Sequence, residues 1–368
     1  MQIDPAKPHN LLPLLPPDFD FRNQDVLIAT FAATEAIARL DTLLTMSDRS
    51  ITNSLDLLSP LFVPEAVSSS GVENIVTTNI RVYEAKMLEE RELTPAEKEA
   101  LNYTAALTDG ALKILSQGFL ATNDYIALQK IIEPANAGLR SLPGTQLSNP
   151  ITKEVYYTPP EGEALIRKLL ANYEAYFNEE VPSLELYTRM AILHYQFEAI
   201  HPFADGNGRT GRMLMPLYLM KQKRLRVPVL FISRYILEHR DEYYEKLRNV
   251  TYKGEWKEWI LYITQATAEQ ANYTWDILIK IQRTTNTVRT KIKDKFPAIY
   301  RSGAVDFLFS HVYFTQKDFE AELKISPMTA RKYLLQLETD KIVIKRKQTG
   351  RNRYIYITPS YIRILTSV

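Results

Sequence analysis

The chain has 368 residues and no cysteine, with 45 lysines and arginines against 43 aspartates and glutamates for a net charge of +2. Such a length predicts two or three hydrophobic cores. The missing cysteines exclude disulfides, thiolate metal sites and cysteine nucleophiles, and the near-zero charge confines any nucleic-acid role to a local basic patch. No apolar run is long enough to span a bilayer, and the short N-terminal piece LLPLLPP is broken by proline. The expectation is a cytoplasmic protein without a signal peptide.

Residues 25–44 space apolar side chains three and four apart, the period of an amphipathic helix. A second helix is predicted over 94–118 with both ends marked: Thr94-Pro95-x-Glu97 is a capping box and Gly118 a stop. The stretch 138–162 is loop-like except for Lys153, Glu154, Val155, Tyr156, Tyr157 and Thr158, a strand-like piece before Pro159-Pro160 that predicts a short hairpin. Pro182 and Ser183 open a helix running to Ile200, with Tyr187, Met190, His194 and Phe197 on one face. Further helices with aromatic faces follow. Near residue 300 the character changes. VDFLFSHVYF, TQKDFEAELKI and SPMTARKYLLQLETD read as three short helices, and KIVIKRK and RNRYIYIT as two strands joined at Thr349-Gly350. Three helices and a basic hairpin are the order of a winged helix-turn-helix, with a boundary near Ser302-Gly303.

Most of the chemistry sits in HPFADGNGRTGR, residues 201–212. Gly206-x-Gly208-x-x-Gly211 spells a dinucleotide-binding turn, but that turn follows a strand and needs an acid about twenty residues on for the ribose. Here a helix precedes it, and RVPVLF downstream holds no acid. His194, Glu198, His201 and Asp205 would share one helix face as a metal cluster. Pro202 and Gly206 end that helix near His201, which leaves His194 a packed histidine. A third use fits each group. A new helix starts near Gly208, and its free backbone N–H groups form an anion cradle that glycine lets a ligand approach. Asn207 adds an amide donor, and Arg209 and Arg212 add guanidinium forks for phosphate oxygens. Asp205 is a hard oxygen ligand for Mg2+ shared with phosphates. His201 at the mouth can accept a hydroxyl proton. Cradle, metal ligand and base predict phosphoryl or nucleotidyl transfer.

On these residues the chain resembles the Fic family. The stretch matches HxFx(D/E)GNGRxxR at every defined position, and HYQFEAIHPF and YILEHRDEYYEKL are similar to the family around it. The resemblance implies a mainly α fold, a Fic helical core with a small β-hairpin flap, and transfer of AMP from ATP to Ser, Thr or Tyr hydroxyls of proteins, itself included. It makes His201 the base and Asp205 the Mg2+ ligand. Gly206, Asn207 and Gly208 become the anion hole, and Arg209 and Arg212 bind phosphates, Arg212 the γ-phosphate. Thr210 and Gly211 complete the nucleotide-binding run, and Phe203 anchors the loop. Residues 153–158 correspond to a flap that pairs with target backbone by strand addition. Tyr243 and Tyr244 fall at the nucleoside pocket, and read equally well as core aromatics.

Ser69-x3-Glu73-Asn74 fits the family's (S/T)xxxE(G/N) inhibitory motif. Alone it is a common helix cap. Beside the site, a Glu73 carboxylate reaching Arg212 would pair with it bidentately and hold the γ-phosphate position. The expectation is an autoinhibited enzyme: residues 1–100 a helical region with the inhibitory helix, 101–300 the catalytic core and following helices, and 301–368 the winged helix. In some family members the same glutamate supports removal of AMP, so the direction of reaction stays open. Residues 341–353 hold six basic residues and no acid. With Ser326 as cap and Thr329, Arg331 and Lys332 toward the groove, DNA is an expected partner, and protein docking the alternative. A DNA-binding regulator that uses the core as a nucleotide sensor is the second reading, against which the intact His201 counts, since a sensor needs no base. A homo-oligomer is the expected assembly.

Overall fold

The computed structural model describes residues 3–21, 23–45, 58–87, 92–148, 152–347 and 354–367. The helices in chain order are α1 Gln24–Thr45, α2 Phe62–Val72, α3 Asn79–Met87, α4 Pro95–Gln117 and α5 Thr122–Ile132. The strands β1 Leu147–Ser148 and β2 Val155–Tyr157 form a small antiparallel pair. Then follow α6 Glu163–Asn178, α7 Leu186–Ile200, α8 Asn207–Lys221, α9 Ile232–Glu238, α10 Arg240–Lys253 and α11 Trp256–Lys295. The C-terminal part has α12 Pro297–Arg301, α13 Ala304–Ser310, β3 Tyr313–Phe314, α14 Gln316–Leu323, α15 Pro327–Thr339, β4 Ile344–Lys347, β5 Tyr354–Ile357 and α16 Pro359–Thr366.

The marked ends of α4 form as expected. Thr94 accepts the Glu97 N–H, Glu97 returns the bond to the Thr94 N–H, and Gly118 closes the helix at φ 80° with its N–H on the Ile114 carbonyl. Such a cap contributes about 1 kcal/mol. The centre of the core is a hairpin of two helices. Every residue of α7 except Arg189 is buried, and in α8 only Gly208 and Lys221 are not. Helices buried all round lie inside a layer of others, so the turn 201–206 between α7 and α8 is fixed from both sides. The long helix α11 lies along α1, with Lys257 on Asp25 at 2.6 Å and the Arg39 guanidinium 4.7 Å from the Trp275 ring. The two helices therefore run parallel.

The C-terminal part departs from its sequence expectation at three points. VDFLFSHVYF is not one helix: it breaks after Ser310, and Tyr313–Phe314 becomes β3. The hairpin is consequently a three-stranded sheet in the order β3-β5-β4. A last helix, α16, begins with Pro359 and was not expected. The Thr349-Gly350 turn and Arg351, Asn352 and Arg353 lie outside the described residues. This part is fastened to the rest by Lys295 on Asp340 at 3.0 Å, Asn79 on the Leu365 carbonyl at 3.3 Å and Tyr313 on Glu84 at 3.4 Å.

The flap piece is shorter than 153–158. Only Val155–Tyr157 is strand. Lys153 sits at φ 60°, a left-handed turn conformation, so Lys153 and Glu154 form the bend. Thr158 leaves the strand, donating to the Pro5 carbonyl at 2.6 Å and accepting from His9 N–H at 2.9 Å.

Candidate active site

His201 terminates α7 in the left-handed region, φ 47° and ψ 60°, with its N–H on the Phe197 carbonyl. That corner turns the chain sharply and aims the imidazole into a cavity of about 900 Å3, which Glu73, His201, Gly208, Arg212, Tyr243 and Tyr244 also line. Four buried side chains hold the corner. Phe203 is fully buried, and the Asn207 side chain clamps its backbone, accepting its N–H and donating to its carbonyl, both at 2.9 Å. Arg140 donates to the His201 carbonyl at 2.7 Å, to the Ile200 carbonyl at 3.2 Å and to the Pro160 carbonyl. Gln129 donates to the Asp205 carbonyl at 3.0 Å and to the Asn136 carbonyl at 2.9 Å. Neither Arg140 nor Gln129 carries a sequence signal beyond being a polar residue in an apolar context.

Burial drives the His201 pKa down to about 4, helped by the charge of Arg140 and opposed by Glu73, the Glu198 backbone and Asp205. Burial likewise takes His194 down to about 3, with Arg212 adding to the effect. Both rings are expected to stay neutral down to about pH 5. The unfolded chain takes up their protons below about 6.5 and the folded chain does not, so they make the fold less stable as pH falls through that window. Titration of the ring protons by NMR checks this; a midpoint near 6.5 for His201 would contradict it.

At the other lip of the cavity, α8 begins at Gly206, φ 82°, with no side-chain cap. The Thr210 N–H takes the Gly206 carbonyl at 2.9 Å, which leaves the N–H groups of Asn207, Gly208 and Arg209 without intrahelical acceptors. This is an anion-binding end. Gly208 lies in a tight place: a Cβ there would overlap Glu73 Oε1 and come within 2.9 Å of Arg212 Nη1.

The structure redistributes several expected roles. The Asn207 side chain holds Phe203 with its Oδ1 and one Nδ2–H, which leaves one amide N–H at most for a ligand. Arg209 is buried among carboxylates, with Glu99 at 3.0 Å, Asp205 at 3.2 Å and Glu133 at 3.4 Å. It therefore orients Asp205 and is not a free phosphate fork. Thr210 is fully buried, and Gly211 packs against Phe197 and Glu198, so both serve packing within α8. Asp205 keeps 56% of its side chain exposed. Its Oδ1 accepts the Gly206 N–H at 2.5 Å. Among the described residues no group of three or more His, Cys, Asp or Glu could hold a metal. His194 is the packed histidine, stacked 5.8 Å from Trp259 and bonded to the Tyr243 hydroxyl at 2.9 Å. Tyr243 is buried in the same aromatic cluster, yet it and Tyr244 line the cavity.

Arg212 is fully buried and its acceptors come from α2. Nε donates to Ser69 Oγ at 3.0 Å, and Nη2 donates to the Ser69 carbonyl at 2.9 Å and to Glu73 Oε1 at 2.8 Å. The Glu73 pairing uses one oxygen and is not bidentate, and Ser69 takes Nε. Against burial, the charge of Arg212 holds the Glu73 carboxyl below its ordinary range. Asn74 follows at φ 64° and accepts from Arg240 at 2.6 Å. Glu65, one turn before Ser69, anchors the same helix face. It is buried, accepts the Ser233 N–H at 3.1 Å, and is bonded to the Ser233 and Tyr103 hydroxyls. Sequence reading missed Glu65; its four-residue spacing to Ser69 and Glu73 was the available signal.

Residues 119–219 match the model of the Fic/DOC family, and residues 27–112 that of the Fic/DOC family N-terminal region. The chain is 30% identical over 172 residues to the protein adenylyltransferase Fic of Culex quinquefasciatus, covering 45% of this chain and 33% of that protein. It is 29% identical over 161 residues to the protein adenylyltransferase fic-1 of Caenorhabditis elegans, covering 43% and 30%. The alignments thus span about a third of these curated relatives. In fold it is similar to a Fic family protein from Desulfovibrio desulfuricans G20, with a TM-score of 0.51, 20% identity, and 89% and 95% of the two chains covered.

Proposed function

We propose a reaction from one premise: the chain belongs to the Fic/DOC family. The reaction is transfer of AMP from ATP to a serine, threonine or tyrosine hydroxyl of a protein, the chain itself included. One observation carries this reading. His201 and Arg212 line one cavity with Gly208, at the uncapped start of α8.

His201, neutral at physiological pH, takes the proton of the target hydroxyl, and the hydroxyl oxygen attacks the α-phosphorus of ATP. The bond from that phosphorus to the bridging oxygen breaks, and pyrophosphate leaves. The free N–H groups at the start of α8 face the charge that develops on the phosphate oxygens. Arg212 is placed for the γ-phosphate. The exposed carboxylate of Asp205 would hold Mg2+ with the substrate's own phosphates, and the ion would neutralise phosphate charge. In this reading Glu73 is a brake: it holds the guanidinium that a correctly seated γ-phosphate needs. The β2 edge supplies a backbone for strand addition by the target. Mass analysis of the Glu73→Gly chain, incubated with ATP and Mg2+ alone and with lysate, is expected to find an AMP adduct. No adduct on any protein would overturn the reading.

The C-terminal part is read as a winged helix-turn-helix with a DNA partner. What supports this is the exposure of Arg331 and Lys332 on α15 and of Lys345, Arg346 and Lys347 on β4. Backbone contacts of that kind are salt-sensitive. The full chain is expected to retard duplex DNA at about 50 mM salt and to release it near 200 mM. No retardation at low salt would favour protein docking.

A further inference from the structure

One wall of the cavity is α10, where Arg240, Tyr244, Arg248 and Tyr252 recur at every fourth position and line the cavity as one stripe. One end of the stripe is committed to the inhibitory turn, through Arg240 and Asn74. The other end meets the flap. The Tyr252 hydroxyl donates to the Tyr156 carbonyl, and the Arg248 guanidinium lies 5.9 Å from the Tyr156 ring.

Two details make this end a binding surface. In the flap, β1 pairs with Val155 and Tyr157 and skips Tyr156. The register slips there, so Tyr156 is the bulged residue with no partner on β1, and its carbonyl, on which Tyr252 places a donor from the α10 side, is left for an added strand. Arg248 is exposed and makes no ion pair among the described residues. A guanidinium on an aromatic face keeps its planar fork open for a carboxylate. It stands at the flap, whereas the anion cradle for phosphates is at the start of α8.

We propose that Arg248 reads an acidic residue of the target, close in sequence to the modified hydroxyl, in an extended segment whose backbone N–H replaces the Tyr252 hydroxyl on Tyr156. This assignment rests on the AMP-transfer reading. It makes Arg248 a specificity-determining residue of the same site.

The test uses the full chain carrying Glu73→Gly, with ATP, Mg2+ and a cell lysate, and reads the sequences around every AMP-modified hydroxyl. Aspartate and glutamate are expected to be enriched severalfold within a few positions of the modified residue. Adding Arg248→Lys should keep that preference. Adding Arg248→Glu should invert it toward lysine and arginine, a result that a misfolded protein cannot give. Modified sites without acidic enrichment, or an unchanged set with Arg248→Glu, would overturn the proposal. Absence of AMP on any protein would overturn the transfer reading and this inference with it.

Discussion

Replacing Glu73 by glycine is expected to raise the rate of AMP transfer, self-modification included, by about tenfold or more. The magnitude follows from the contact being removed. A charge-assisted hydrogen bond to a carboxylate that keeps 36% of its side chain exposed contributes on the order of 1.5 kcal/mol, and about 1.4 kcal/mol is a factor of ten in rate. The direction follows from what remains. Ser69 still accepts from Nε and Nη2 of Arg212, at 3.0 and 2.9 Å, so the guanidinium stays where a γ-phosphate would meet it. Only the competitor leaves. Initial rates of radiolabelled AMP incorporation by wild type and Glu73→Gly decide the matter, and equal rates would remove the brake.

His201→Ala, in the Glu73→Gly background, is expected to lower transfer by about a hundredfold to ten-thousandfold, the usual contribution of a positioned general base. The substitution removes an imidazole whose corner is fixed by Arg140, Phe203 and Asn207, so the rest of the cavity should survive. ATP should still raise the melting temperature, because the start of α8 and Arg212 are untouched. A variant that binds ATP and transfers AMP at the full rate would take the base assignment away from His201.

The local features were legible because their chemistry is local. A capping box and a C-terminal glycine need only neighbours, and α4 begins and ends where Thr94 and Gly118 say. The turn 201–206 was legible for the same reason: proline and glycine end one helix and start another within twelve residues. What stayed hidden is contact between distant segments. Nothing near Arg209 announces Glu99 and Glu133, which come from α4 and the end of α5. Nothing near His201 announces Arg140, which ties the turn to Pro160 beyond the flap. The Glu73 pairing was anticipated from a motif, but not its one-oxygen geometry or the Ser69 hydroxyl on Nε. The strand β3 was missed because two aromatic residues after a helix carry no period; only pairing with β5 makes them a strand.

Gly208 gives the proposed inhibition its character. The methyl-sized gap at this position is filled by a carboxylate oxygen of Glu73, beside the N–H groups that await a phosphate. In the proposed mechanism the braked state is therefore a matter of occupancy, while the turn 201–206 is already assembled, with His201 at its corner and Arg212 in its socket. Switching on moves one side chain out of one volume and asks for no refolding of the turn. An alanine at 208 would crowd out Glu73 and a substrate oxygen alike, so the proposed brake and the proposed reaction depend on the same missing atom.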